Sequence, residues 1–531
     1  MSSYSPPSVP QSSPPAPSTD RRRARGRKRP SFRRSWWTAF IGFFLLCAGW
    51  ALAGPYDASP DEAQHIMRAA GVARGEFAPK PEAADMGTGA FQNIPKSLVR
   101  ANCWYFQPAT SAACAKAPGG DQQVERVATR AGRYNPVYYA VVGWPLNPWP
   151  NWVGVTLARL LNAAAVAALL ASAAYSAVAW TRHRVMAAGV LAAVTPMTIH
   201  LAGSVNPNSV EIAAGAALFA ALIPTLLDPE APLRRAAMVQ IGIAGSVLCT
   251  LRALGPLWCL VILAVMLIPA KRDRIRQLLR SGAFRWAALA IFVAALAGAA
   301  WTVVMRVAEL GALATPPPMT FAQGIRQEVV VRWPEYVIQM IGVPSWLDTY
   351  LPGTAYHLWL LALGCLLLLA LACGRWVDRW RMFAIFAAAF GATTLSDVIG
   401  APKYGFVAQG RYMLPVMVGL PILAAFVLGL RNVLSEARSA SLVRTFALLL
   451  LPLQLAFLAY TMIRWQSGVG TAITYTPLNP LAGTWHPPAG SATALLAATV
   501  GCLLLGVWAW AGSRPLPGAR TAAPEAVGQT V

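Results

Sequence analysis

Apolar stretches of about 18 residues or more recur along almost the whole chain, and that recurrence limits the fold more than any single motif. A hydrocarbon core leaves no water for backbone polar groups, so such stretches must close their hydrogen bonds internally, as helices. Only 12% of the 531 residues are charged while 56% are hydrophobic, which excludes an ordinary soluble domain series. The fold class is therefore an all-α polytopic membrane protein. Spans are expected near 36–54, 152–180, 185–203, 210–227, 236–250 and 254–270. Six more are expected near 284–304, 356–373, 382–396, 412–430, 445–463 and 492–511. That makes twelve, with the weak fifth stretch leaving eleven to thirteen open.

The net charge of +23 would suit a nucleic-acid binder, but its distribution argues against one. The block "RRRARGRKRPSFRR" (21–34) directly precedes the first span. Further basic clusters lie at 181–184, 232–235, 271–280, 374–381 and 431–444, between alternate spans. Basic loops mark the cytoplasmic side, so both termini are expected in the cytoplasm of a bacterial plasma membrane. Residues 1–35, Ser/Pro-rich and then basic, read as a disordered cytoplasmic tail, 36–511 as the transmembrane domain, and 512–531 as a second tail. The outside then holds a large loop, 55–151, and a second one, 305–355. Cys103 and Cys114 are the only cysteines expected outside, where a disulfide can form; two free thiols are the alternative.

Charged and amide side chains are expensive within a bilayer, which makes each one a functional suspect. Arg159, Asn162, His200, Asn206, Asn208, Glu211, Arg252, Asp397 and the segment "QGRY" (409–412) all fall near the external ends of their spans. Arg159 could simply snorkel to the interface, and Asn206 or Asn208 could simply cap a helix. Their common depth nevertheless describes a site open to one side only.

The motif "SPDEAQH" (59–65) adds Asp61, Glu62 and His65 just after the first span. Pro60 places both acids in the first turn of a short helix, where Ser59 would be the N-cap and the acids would suit the helix dipole. His65 shares a helix face with Asp61 and with Glu62. Two chemistries suit this group. A carboxylate at the membrane boundary can serve as general base to an acceptor hydroxyl. Asp61, Glu62 and His65 could instead hold a divalent metal such as Mg or Mn.

An acidic pair after the first span of a many-spanning protein resembles the C-type glycosyltransferases, which use sugars linked to polyprenyl phosphate. The chain is also similar to the bacterial membrane family called domain of unknown function 2142. The similarity rests on "SPDEAQH" (59–65), "RYNPVYY" (133–139), "NPNSVEIA" (206–213), "IGVPSWLDTYLP" (341–352) and "QGRYMLP" (409–415). It implies transfer of a sugar from a polyprenyl-phosphate donor to a cell-envelope acceptor, polysaccharide or protein, on the external face. In that scheme Asp61 is the base or metal ligand, with Glu62 its companion and His65 beside them. Arg411 and Arg252 face the lipid phosphate and Tyr412 orients it, within the polar layer formed by Asn206, Asn208 and Glu211. A transporter or flippase of a lipid-linked saccharide, and a non-catalytic envelope-assembly protein, are the other readings.

Overall fold

The computed structural model describes residues 32–81, 89–181, 184–267, 270–307, 319–470 and 478–514. The expected tails therefore fall mostly outside the described residues, as does much of the basic block before the first span. Helices run α1 Phe32–Ala53, α2 Glu62–Ala73, α3 Pro136–Gly143, α4 Trp152–Ala179, α5 Met186–Ala193, α6 Pro196–Ala202 and α7 Pro207–Leu227. They continue as α8 Arg235–Leu251, α9 Gly255–Leu267, α10 Arg272–Arg280, α11 Gly282–Val304, α12 Phe321–Arg326 and α13 Trp333–Gly342. The last are α14 Gly353–Cys373, α15 Trp376–Tyr404, α16 Leu414–Met417, α17 Gly419–Leu430, α18 Glu436–Ser467 and α19 Ser491–Gly512. One antiparallel pair of strands interrupts the helical fold: β1 Ala90–Pro95 and β2 Val124–Thr129, with Ala90 opposite Thr129.

Among the described residues eight helices are long and apolar enough to cross a membrane: α1, α4, α7, α11, α14, α15, α18 and α19. The other four expected spans are shorter or broken. α8 and α9 have 17 and 13 residues. The stretch expected at 185–203 is two helices, because Pro196 opens α6 at its first position and Thr195 caps it through Thr198 N. The stretch expected at 412–430 is likewise divided, at Val418 between α16 and α17, where Pro421 offers no N–H to the carbonyl of Met417. Such interruptions survive at membrane depth only when other elements satisfy the freed backbone groups. At the first break Gln454 of α18 does so, donating to Val194 O at 2.7 Å.

α7 lies at the centre, with 94% of its most apolar window buried against 17% for α11 at the rim. α4, α8 and α17 surround it, and α1 packs between α4 and α19. Gly215 allows the chain at Pro415 to close on α7; a Cβ there would sit 2.0 Å from Pro415 O.

The basic loops gather at one end of this bundle. Arg184 donates to Gly512 O and Arg514 O, Arg274 to Thr225 O and Ala231 O, and Arg431 pairs with Asp378. Arg444 reaches Ser513 Oγ at 3.3 Å. The opposite end carries α2, the strand pair and α3. Cys103 and Cys114 are bonded there, with their Cα atoms 6.1 Å apart.

Candidate functional site

α2 begins where two constraints conflict. Asp61 is its N-cap residue, yet it adopts φ 69°, ψ 4°, the left-handed region that costs a non-glycine residue about 1–3 kcal/mol. Its side chain makes no cap hydrogen bond. The expected cap, Ser59, donates instead to Ser204 Oγ at 2.8 Å. The open N–H at Ala63 is taken by Asp57 Oδ1 at 2.9 Å. Asp57, itself at φ 64°, thus does the work assigned to Ser59. Burial, with Glu62 and Asp61 nearby, pushes the Asp57 carboxyl well above the usual carboxylate range, against the N–H of Ala63 and the Asn102 amide.

The left-handed turn sends the two adjacent acids in different directions. Glu62 enters the protein. Its Oε1 accepts from Arg159 Nε at 2.7 Å and Val205 N at 3.1 Å. Its Oε2 accepts from Arg159 Nη2 at 2.7 Å and Ala58 N at 2.8 Å. Both side chains of this ion pair are 0% exposed, and Arg159 also donates to Ala51 O, Gly54 O and Pro55 O. Arg159 therefore does not snorkel, and Glu62 has no oxygen to offer a substrate. It staples α4 to the end of α1 and the start of α2.

Asp61 faces the other way and stays 38% exposed, with Oδ2 accepting from Arg411 Nη2 at 2.8 Å. Burial would raise the Asp61 carboxyl, but Arg411 and, more weakly, Arg252 hold it below the usual range. Arg411 is aimed by Gln409 Oε1 at 2.6 Å and Pro60 O at 3.4 Å. The Tyr412 ring lies between two guanidinium groups, Arg411 at 5.2 Å and Arg252 at 4.7 Å from its centroid. Arg252 meets Glu211 at 3.5 Å, and Asn208 Nδ2 donates to the same carboxylate oxygen at 3.0 Å. Glu211 Oε1 and Asn208 Oδ1 are buried without a hydrogen-bond partner among the described residues. Asn206 caps α7 through Asn208 N and donates to Pro60 O at 3.2 Å.

His65 turns to Tyr139 OH at 2.8 Å, and burial pushes its imidazole down to about 3, so it is neutral. Of Asp61, Glu62 and His65, Glu62 is saturated by donors and His65 Nδ1 is engaged by Tyr139. Among the described residues no three His, Cys, Asp or Glu side chains converge where a metal ion could be held.

The five motif segments meet around Pro60. Asn206 and Arg411 both donate to its carbonyl, Tyr139 holds His65, and Trp346 Nε1 donates to Asp57 O at 2.9 Å. Asn162 and His200 support the site without facing it. The first accepts from Tyr138 and donates to Ala202 O and Ser204 O; the second packs on Trp50 beside Ser345 O. Sequence reasoning missed Asp57, and it gave Gln409 and Tyr139 no role of their own within the segments "QGRY" and "RYNPVYY". Each contacts the site through a backbone turn or a distant segment, which no local spacing signals.

A family model described as "Predicted membrane protein (DUF2142)" matches residues 44–420. Among solved structures the chain is similar to ArnT from Cupriavidus metallidurans bound to undecaprenyl phosphate. The identity is 16% over 90% of this chain and 77% of that one, with a TM-score of 0.42. The same protein in the apo state matches at 16% identity over 91% and 77%, with a TM-score of 0.40. No curated protein matches the sequence.

Proposed function

The chain belongs to the DUF2142 family of predicted membrane proteins, and we propose that it is a C-type membrane glycosyltransferase. In this reading it moves a sugar from polyprenyl phosphate to a cell-envelope acceptor at the outer face of the bacterial plasma membrane. The basic loops gathered at one end of the bundle support placing that end, with both tails, in the cytoplasm. α2 and the strand pair would then lie outside.

The observation that carries the reading is the setting of Asp61. It is the exposed acid of the pair, turned outward by a strained backbone and tied to Arg411, next to Tyr412 and Arg252. A planar guanidinium suits phosphate oxygens. An apolar cavity of about 300 Å³ lies between α7, α8, α9 and α11, lined by Leu222, Ile241, Cys249, Pro256 and Phe292. Cys249 and Pro256 flank Arg252 in sequence, so a prenyl chain in this cavity would bring its phosphate toward that arginine.

The chemistry follows from exchange of ion-pair partners. An arriving phosphate draws Arg411 away from Asp61, and the freed carboxylate regains its ordinary basicity. The acceptor oxygen attacks the anomeric carbon while its proton passes to Asp61. The bond from that carbon to the phosphate oxygen breaks, and its electron pair leaves with the phosphate, where Arg411 and Arg252 offset the charge. Protein purified into nanodiscs with a polyprenyl-phosphate sugar should release polyprenyl phosphate and glycosylate an envelope extract. Movement of the intact donor across a bilayer without cleavage would identify a transporter instead.

A further inference from the structure

A second pair of acids, which the proposed reaction does not use, stands behind the turn that precedes Arg411. Residues Gln327–Arg332 form a wide π-helical turn, a form concentrated at functional sites, and Glu328 points inward from it. Arg332 Nε meets Glu328 Oε1 at 2.7 Å, and its Nη2 lies 3.5 Å from Asp397 Oδ2 on α15. Tyr336 OH donates toward Glu328 at 3.0 and 3.2 Å and toward Asp397 at 3.5 Å. These groups grip the turn that precedes Arg411. Asp397 Oδ1 accepts from Val407 N at 2.9 Å and Ala408 N at 3.1 Å, while Arg332 Nη2 donates to Ala408 O at 2.6 Å. Gln339 Oε1 accepts from Gly410 N at 2.8 Å, and a Cβ at Gly410 would sit 2.4 Å from Tyr336 O, so the turn lies flat on α13.

We propose that Glu328 and Asp397 are positioning residues: through Arg332 and Tyr336 they clamp the turn at 406–412 and thereby aim Arg411 at the site. Two buried carboxylates beside a single arginine leave one negative charge unmatched, and a proton on Glu328 removes it. Burial, then Asp397, push the Glu328 carboxyl up to about 7, against Tyr336 and Arg332. The closed turn therefore binds a proton that an opened turn, with an ordinary glutamate, releases. Closure is fully favoured below the ordinary glutamate range and weakens as pH rises through 7. Linkage between about 4.5 and about 7 gives roughly a tenfold increase in opening from pH 6 to pH 8.

Hydrogen exchange at 406–412 in nanodiscs reads this directly, without any activity. Corrected for intrinsic exchange, wild-type opening should rise about tenfold from pH 6 to pH 8. Glu328→Gln, which carries no proton to lose, should flatten that rise. A wild-type turn equally protected at both pH values overturns the clamp, as does a Glu328→Gln profile that follows the wild type. The consequence for Arg411 rests on the function proposed above. A turn that stiffens in acid while binding of polyprenyl phosphate stays unchanged would leave the clamp standing and count against the donor reading.

Discussion

Glu62→Gln and Asp61→Asn remove one charge each from neighbouring residues and should have opposite consequences. All four partners of the Glu62 carboxylate are donors: two nitrogens of Arg159 and the N–H groups of Val205 and Ala58. Each oxygen serves one of each kind, so either orientation of a glutamine amide sets its NH2 against two donors. One charged bond and one backbone bond are lost, and Arg159 remains buried without its counter-ion. Removing one partner of such a pair costs about 3–5 kcal/mol, which multiplies the unfolding constant by roughly two to almost four orders of magnitude. The Asp61 pair joins a carboxylate 38% exposed to a buried Arg411, but an asparagine Oδ1 can still accept the one Arg411 Nη2 bond, so the substitution should cost only about 0.5–1.5 kcal/mol. Thermal unfolding of each variant in the same detergent, followed by tryptophan fluorescence and size-exclusion recovery, separates them. Glu62→Gln should melt well below the wild type and Asp61→Asn close to it. If Glu62→Gln melted with the wild type while transfer was lost, Glu62 would be a chemical residue and the division between the two acids would be wrong.

Asp61→Asn should abolish release of polyprenyl phosphate, and Arg411→Ala should weaken donor binding as well as turnover; full activity in Asp61→Asn would remove the general base from the scheme. Loss of the Cys103–Cys114 bond, with a sequence separation of 11, should cost about 3 kcal/mol on loop entropy, measured by unfolding of Cys103→Ser plus Cys114→Ser. His65 is neutral in the fold, while an unfolded histidine gains a proton below about 6.5, so stability should fall as pH drops from there toward about 3. His65→Phe should lessen that acid sensitivity in melts across the range. A cysteine at position 120 should label in intact cells and one at 276 only after permeabilisation; the reverse pattern would invert the orientation.

How much of this was legible beforehand depended on whether the cause was local. Apolar periodicity marked the helices because burial in oil is a property of each stretch by itself. The common depth of Arg252, Glu211, Asp397 and Arg411 was legible for the same reason. What pairs with what was not. Asp61 and Glu62 look alike in sequence, and a single left-handed residue sends one outward and the other to Arg159, 97 residues away. The breaks in the third and tenth expected spans are written in Pro196 and Pro421, but hydropathy averages over them. The role of Glu328 lay hidden in a π-helical turn that ordinary helical spacing does not describe.

The broken helix at Val194 also orders how the chain can be made. α5 and α6, of eight and seven residues, are too short to enter a bilayer stably one at a time, and the break between them exposes a carbonyl. Its partner, Gln454, is separated by 260 residues and emerges from the ribosome only with α18. Until then the nascent chain carries an unsatisfied polar group at membrane depth, a cost of roughly 2–7 kcal/mol. The segment must wait near the insertion machinery, in a watery vestibule, or under a chaperone while a further 260 residues are translated. Commitment to the native core thus belongs to the last third of the chain, and a release of the polypeptide before α18 should hand the whole bundle to membrane quality control.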